Sequence, residues 1–334
     1  MATRPLFSVI VPTRDRPEHL EACLEALTRV DFPPDGLEVI VSDDGSINPP
    51  TAIVARFADR LRVRLIQGAK AGPGAARNRG AVEALGRFLV FTDDDCVPER
   101  GWLTAYDRCL TQSSDLLAAG RVVNGLPHNP FSTATQLIVT YVYAENERKR
   151  TGTRMFASCN LAMRADLFRK LGGFSEAFPL AAGEDHDFCH RWQHKGWGTV
   201  YVPDAVIRHN HLLTLRGFAR QHFNYGRGLY LCRRLIAKRE RKVFRVRHAA
   251  FYFGLVTFPL SEVKGPSGWL SAGLILGSQF ATFAGAVWEW LTSRWFGSVG
   301  SETMRSLRPT AKRTFEVATP GGGDDQGEGT GPTV

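Results

Sequence analysis

The chain has 334 residues, 43% hydrophobic and 22% charged, a composition that supports a full globular core and excludes a disordered or collagen-like chain. Its formal charge of +9 permits nucleic-acid binding, but the excess is gathered in residues 233–248 (RRLIAKRERKVFRVRH), just ahead of an apolar stretch. That placement fits an anionic membrane surface better than a nucleic acid, with a solvated helix face as the plain alternative.

In chain order, a strand at 7–11 precedes a helical pattern around Leu20, Leu24 and Leu27, and a strand at 37–41 precedes one around Ile53, Val54 and Phe57. A strand at 63–66 precedes a helix over 74–85, and a strand at 88–91 precedes a helix over 99–110. Such alternation predicts an α/β fold with an open, mostly parallel sheet and right-handed crossovers. Further strands are expected at 117–123, 155–163 and 199–202. Helices are expected over 133–148, over 164–171 with Gly172-Gly173 as its C-cap, and from 184 onward.

Beyond residue 212 the sequence turns arginine-rich and then apolar. Residues 249–261 and 265–288 carry no charge. The second run is long enough to cross a bilayer and the first is short for a span. Basic residues outside both ends suit a hairpin with its ends on the cytoplasmic side, and buried or interfacial helices are the alternative. The expected division is therefore a domain at 1–212, a basic helical segment at 213–248, an apolar, membrane-associated hairpin at 249–292 and a mostly disordered tail at 293–334. Six scattered cysteines without a C-x-x-C pair read as reduced thiols, and residues 6–11 are too short for a signal segment. The expected location is a cytoplasmic domain held at the cell membrane.

The chemistry-bearing residues cluster at strand ends. The strand at 88–91 runs into Asp93-Asp94-Asp95. In extended backbone Asp93 and Asp95 point to one side and can grip a hard divalent ion, while a solvated loop or helix cap is the alternative. Ser42-Asp43-Asp44-Gly45-Ser46 can serve a ligand or simply turn the chain. Ala71-Gly72-Pro73-Gly74-Ala75-Ala76-Arg77-Asn78-Arg79 offers close backbone approach and forked guanidinium donors for phosphate, without the Gly-Lys-Ser/Thr ending of a P-loop. Gly183-Glu184-Asp185-His186-Asp187 reads as a source of a general base or as an acidic helix start. His209 and His211 share one side in extended backbone.

With Val11-Pro12-Thr13, these motifs occur in an order and spacing that resembles the family 2 glycosyltransferases over about residues 6–211. The resemblance implies a GT-A fold and a nucleotide site drawn from Pro12, Thr13, Arg14, Asp43, Asp44, Arg77 and Asp94. It implies Mn²⁺ or Mg²⁺ at Asp93 and Asp95, with His209, or else His211, as a further ligand. It places proton abstraction on Asp185, with Glu184 as fallback, and sets Asn160, Gly172 and Gly173 beside the sugar and acceptor; strand core and a helix cap are the alternative for these three. The implied partners are a nucleotide-diphospho-sugar donor, a UDP-sugar first, a lipid-linked or glycan acceptor and the membrane surface, with no nucleic acid. The implied reaction is an inverting single transfer that contributes to a cell-envelope glycan. A separate Gln-x-x-Arg-Trp motif is absent, although Arg191-Trp192 follows the acidic motif, so a processive synthase is not expected. A sugar nucleotidyltransferase is disfavoured because the loop after the first strand lacks glycine. A silent nucleotide-sugar sensor is disfavoured because every acid is present.

Overall fold

The computed structural model describes residues 4–113, 115–148, 153–178, 180–241 and 248–295. Strand and helix alternate through β1 (Phe7–Thr13), α1 (Pro17–Leu27), β2 (Leu37–Asp43), α2 (Thr51–Ala55), β3 (Val63–Gln67), α3 (Pro73–Val82) and β4 (Phe88–Phe91). The helix expected over 99–110 is α4 (Trp102–Leu110), and a short strand, β5 (Cys96–Pro98), precedes it. Pro98 cannot continue a helix that begins before it, and the Glu99 amide donates to the Val206 carbonyl instead.

The second half carries β6 (Leu116–Asn124), α5 (Pro130–Arg148), β7 (Leu161–Arg164), α6 (Ala165–Leu171), α7 (Glu184–His194) and β8 (Gly198–His209). Where a strand is expected over 155–163, the chain makes a 3-10 turn at Ser158–Asn160 before β7 starts. β8 is three times longer than expected because it absorbs an irregularity: Gly120 of β6 faces Val202 and Arg121 faces Val206, so residues 203–205 bulge. Gly120 is required there, since a Cβ would lie 2.2 Å from the Ala205 carbonyl oxygen.

The eight strands form one sheet in the order β3-β2-β1-β4-β7-β6-β8-β5. β1 to β4 are mutually parallel, as alternation demands, whereas β7 runs antiparallel to both β4 and β6, and β5 antiparallel to β8. The sheet is therefore mixed rather than mostly parallel in its second half. Two reversals restore direction, so β8 ends at the same edge as β1, β2 and β4. That edge gathers Thr13, Asp44, Asp93 and His209.

The strands bury both faces. Along β1, Phe7, Val9 and Val11 pack with Leu20, Leu24, Trp102 and Tyr106 on one side, while Ile10 joins Phe91, Phe168, Phe174 and Phe188 on the other. Three further helices follow: α8 (Leu215–Glu240), α9 (Ala249–Glu262) and α10 (Pro266–Trp295). The chain divides into two compact units, Met1–Trp290 and Leu291–Val334. The expected disordered tail lies outside the described residues from 296 onward.

Candidate active site

β1 delivers Pro12, Thr13 and Arg14 to the edge of one large cavity, and the Thr13 hydroxyl donates to Asp94 at 2.8 Å. From β2, Asp44 also reaches the cavity, its two carboxylate oxygens accepting the amides of Ala71 and Gly72 at 2.8 and 2.9 Å. Gly72 has φ +96, a conformation that favours glycine, and it starts α3. Asp43 departs from its expected place. Its carboxylate turns back to accept the Ser46 amide and hydroxyl, so it closes the turn at Gly45 and does not line the cavity.

One turn into α3, Arg77 is buried and aims into the cavity, 2.6 Å from Asp93 and 3.2 Å from Glu184. Its Nε and Glu184 Oε2 are buried without a protein partner among the described residues. Burial and the neighbouring Asp185 push Glu184 up to about 7 despite Arg77, whose shorter contact is with Asp93.

The acidic triplet is arranged differently from the expectation of Asp93 and Asp95 on one side. Asp94 and Asp95 occupy a turn rather than extended backbone, so these two converge and Asp93 diverges to Arg77. Between Asp94 and Asp95 sits Arg16, its Nη1 3.2 Å from one and 3.0 Å from the other. Burial works against the Arg16 charge, but Asp94 and Asp95 outweigh it and raise the pKa. Arg16 is the residue that sequence reasoning passes over. Its only signal is Pro17, which sets the first turn of α1 and leaves Arg16 at the N-cap beside the β1 loop.

His209 completes the group. In the β5–β8 ladder it pairs with Cys96, which brings its Nε2 3.2 Å from Asp95 Oδ1. Burial alone would raise Asp95, yet His209 and Arg16 hold it well below the usual carboxylate range. His209 is lifted to about 9, Asp95 overcoming its burial. Asp94 is pushed up to about 6 by burial and by Asp95. His211 stacks on His209 with ring centres 4.9 Å apart, and burial and His209 lower it to about 4.

Carboxylate and imidazole donors this close fit a hard divalent cation such as Mn²⁺ or Mg²⁺. Cys96 Sγ lies within 4.8 Å of the Asp95 and His209 donor atoms. Burial raises its thiol far above the ordinary value, so it stays protonated and belongs to the core.

The acidic motif follows Gly183 (φ +90) at the start of α7 and meets the Asp93 side through Arg77. Asp185 is half-buried, lines the cavity and forms no ion pair among the described residues. Asp187 is fully buried and held by Arg191 at 2.7 Å and by Arg239 of α8. Three acids thus take three tasks: Glu184 braces Arg77, Asp187 ties α7 to α8, and Asp185 faces the cavity.

Asn160, Gly172 and Gly173 do not reach the cavity. Asn160 is fully buried; its Oδ1 accepts from the Trp102 indole and Tyr106 hydroxyl, and its Nδ2 donates to the Arg121 and Ala205 carbonyls. Every hydrogen bond that the amide can make is spent inside the fold. Gly172 caps α6 with φ +84, and Gly173 passes so close to Asn78 that a Cβ would lie 2.5 Å from its Oδ1.

The cavity measures about 1670 Å³. Besides the carboxylates and Asp185, its lining includes an apolar end with Ile138 and Val142 of α5 and Phe251 and Leu255 of α9.

Known proteins resemble this chain over most of its length. The sequence profile Glycosyl transferase family 2 matches residues 8–172, and Glycosyl transferase family group 2 matches residues 92–296. Glycosyltransferase AglE of Haloferax volcanii is 28% identical over 211 residues, 62% of this chain and 68% of that protein. Pre-mycofactocin glycosyltransferase of Mycobacterium tuberculosis is 29% identical over 66% of this chain, which spans only 46% of that relative's length. The solved mannosyltransferase PcManGT from Pyrobaculum calidifontis, in complex with GDP-Man and Mn²⁺, shares the fold with a TM-score of 0.55 at 22% identity, over 91% of this chain and 79% of that one.

Proposed function

The chain belongs to the family 2 glycosyltransferases, and from that premise we propose that it moves one sugar from a nucleoside-diphosphate donor, a UDP-sugar first, to an acceptor hydroxyl with inversion. The reaction uses Mn²⁺ or Mg²⁺ and takes place at the cytoplasmic face of a membrane. The observation that carries this reading is that the Asp93–Asp95 cluster and Asp185, which forms no ion pair among the described residues, line one cavity. PcManGT, complexed with GDP-Man and Mn²⁺, supports both a sugar-nucleotide donor and a divalent ion.

In this reading Pro12, Thr13, Arg14 and Asp44 border the nucleotide, and Arg77, buried and charged, faces the diphosphate. Asp95 and His209 would hold the cation, with Asp93 and Asp94 beside them. A divalent ion bound there offsets the charge that builds on the departing diphosphate. Asp185 accepts the proton of the acceptor hydroxyl as its oxygen bonds to the anomeric carbon and the bond to the diphosphate breaks. Glu184 is less suited to that task because Arg77 holds it. The apolar end of the cavity supports a lipid-linked acceptor.

The test is release of nucleoside diphosphate from UDP-, GDP- and dTDP-sugars with Mn²⁺ or Mg²⁺ and a membrane lipid extract. Metal-dependent turnover of one donor, abolished by Asp95→Asn, is the expected result. Donor binding without turnover on any acceptor would favour a silent nucleotide-sugar sensor, and no donor binding would overturn the reading.

A further inference from the structure

By length and composition, α10 can cross a membrane over Pro266–Ser293. Its packing supports another placement. One stripe, including Ser271, Ile275, Ser278 and Gly285, is buried against the protein, and these positions lie on one face of the helix. The opposite face carries Trp269, Leu276, Phe280 and Phe283, and three of these four are about 70% exposed. Both stripes run along the helix from near its start to its last turns.

The buried stripe is docked on the catalytic body at successive levels. Ile275 shares an apolar cluster with Leu137 and Tyr141 of α5, Phe218 of α8 and Leu255 of α9. Further along, α8 and α10 cross at glycines: a Cβ on Gly226 would lie 1.8 Å from the Thr282 carbonyl oxygen, and one on Gly285 1.9 Å from that of Phe223. Arg227 Nε then pairs with Glu289 at 2.8 Å. Just beyond, Gly228 presses on Ala182, beside the acidic motif. If α10 crossed a bilayer, this part of α8, with Arg216, Arg220 and Arg227, would have to enter hydrocarbon with it.

Building on the proposed membrane association, we infer that α10 lies in the plane of the membrane surface, sunk on its Trp269–Phe283 face into one leaflet, and does not span it. The occupant of that face is an anionic lipid surface. Charge supports this choice: exposed Arg234 and Lys238 lie on α8, and Arg234 and Ala237 share a small cleft with Trp290 of α10, so basic groups border the apolar face. Such a helix would hold the apolar mouth of the cavity, at α9, level with the acyl chains of an acceptor lipid.

The experiment uses the full chain with Cys109→Ser and single nitroxide labels at Trp269→Cys, Leu276→Cys, Phe280→Cys or Phe283→Cys. Phosphatidylcholine vesicles with and without phosphatidylglycerol are the probe, and depth is read from oxygen against nickel-chelate accessibility. The account predicts binding that requires phosphatidylglycerol and weakens in Arg234→Gln/Lys238→Gln, with all four labels at one shallow depth. A depth that peaks at residues 276 and 280 and falls toward both ends would mean a span and overturn the in-plane placement alone. Labels that stay water-exposed with every vesicle would overturn the membrane association itself. Label–label dipolar coupling between chains in the absence of vesicles would assign the face to a second copy instead.

Discussion

His209 and Asp95 meet across the edge of the sheet, imidazole Nε2 to carboxylate Oδ1 at 3.2 Å, although they stand 114 positions apart in the sequence. The contact depends on β5, a three-residue strand whose Cys96 pairs with His209. It converts two modest sequence features into one donor set.

The first prediction tests that set. His209→Ala should lower Mn²⁺ affinity by at least about tenfold, the scale on which weakening a metal's immediate surroundings is felt. Manganese binding followed by electron paramagnetic resonance, without donor present, reads this directly. Unchanged affinity would remove His209 from the ligand set.

Arg16 is expected to act in the opposite sense. Its guanidinium supplies the positive charge that Asp94 and Asp95 share, so Arg16→Gln should raise Mn²⁺ affinity in the absence of donor. Arg16→Lys should fall between the two. Weaker Mn²⁺ binding in Arg16→Gln would show that the arginine orders the carboxylates more than it competes with the ion.

Asn160→Ala should cost about 2–4 kcal/mol of stability, because it leaves the buried Trp102 donor without its acceptor, takes one of two acceptors from the Tyr106 hydroxyl and removes a donor from each of two carbonyls. Denaturant unfolding measures that loss. The donor KM of the folded fraction should not change, since the side chain does not reach the cavity.

His222 makes stability depend on pH. It packs between Phe218 and Tyr225, and burial lowers it from 6.5 to about 4. The unfolded chain therefore binds this proton more tightly than the folded one, so stability present above pH 6.5 is lost as pH falls toward 4. The His222 share of the loss between pH 7 and 5 should be about 2 kcal/mol, and His222→Gln should make the loss smaller by that amount. Thermal unfolding of both proteins across that range is the check; equal slopes would contradict it.

Much of this molecule could be read in its sequence because the parallel half is built from continuous apolar strands, each ending in a motif. Phe7–Thr13 and Phe88–Phe91 are buried throughout, and their C-terminal edge is where Thr13 and Asp93 stand. The rest depended on tertiary contacts that periodicity does not encode. Asn160 reads equally well as a ligand or a core amide until Trp102 and Tyr106 are seen on it. Asp93 and Asp95 point apart because the chain turns at Asp94, a conformation that alternation rules do not anticipate. Arg16 stood in no motif of its own, and its role emerges only when α1 sets it against the end of β4. For α10, composition allows a span, while its crossing with α8 at Gly226 and Gly285 is a contact that no periodicity encodes.

The central claim is a division of labour in which the Asp95–His209 side holds the cation and diphosphate and Asp185 takes the acceptor proton. The most direct measurement compares wild type, Asp95→Asn and Asp185→Asn for donor binding by calorimetry with Mn²⁺ and for turnover in the same buffer. The account predicts that Asp95→Asn loses both, while Asp185→Asn binds donor within about threefold of wild type yet loses at least about a hundredfold in kcat. Turnover by Asp185→Asn near the wild-type rate, or Mn²⁺-dependent donor binding that survives in Asp95→Asn, would contradict it.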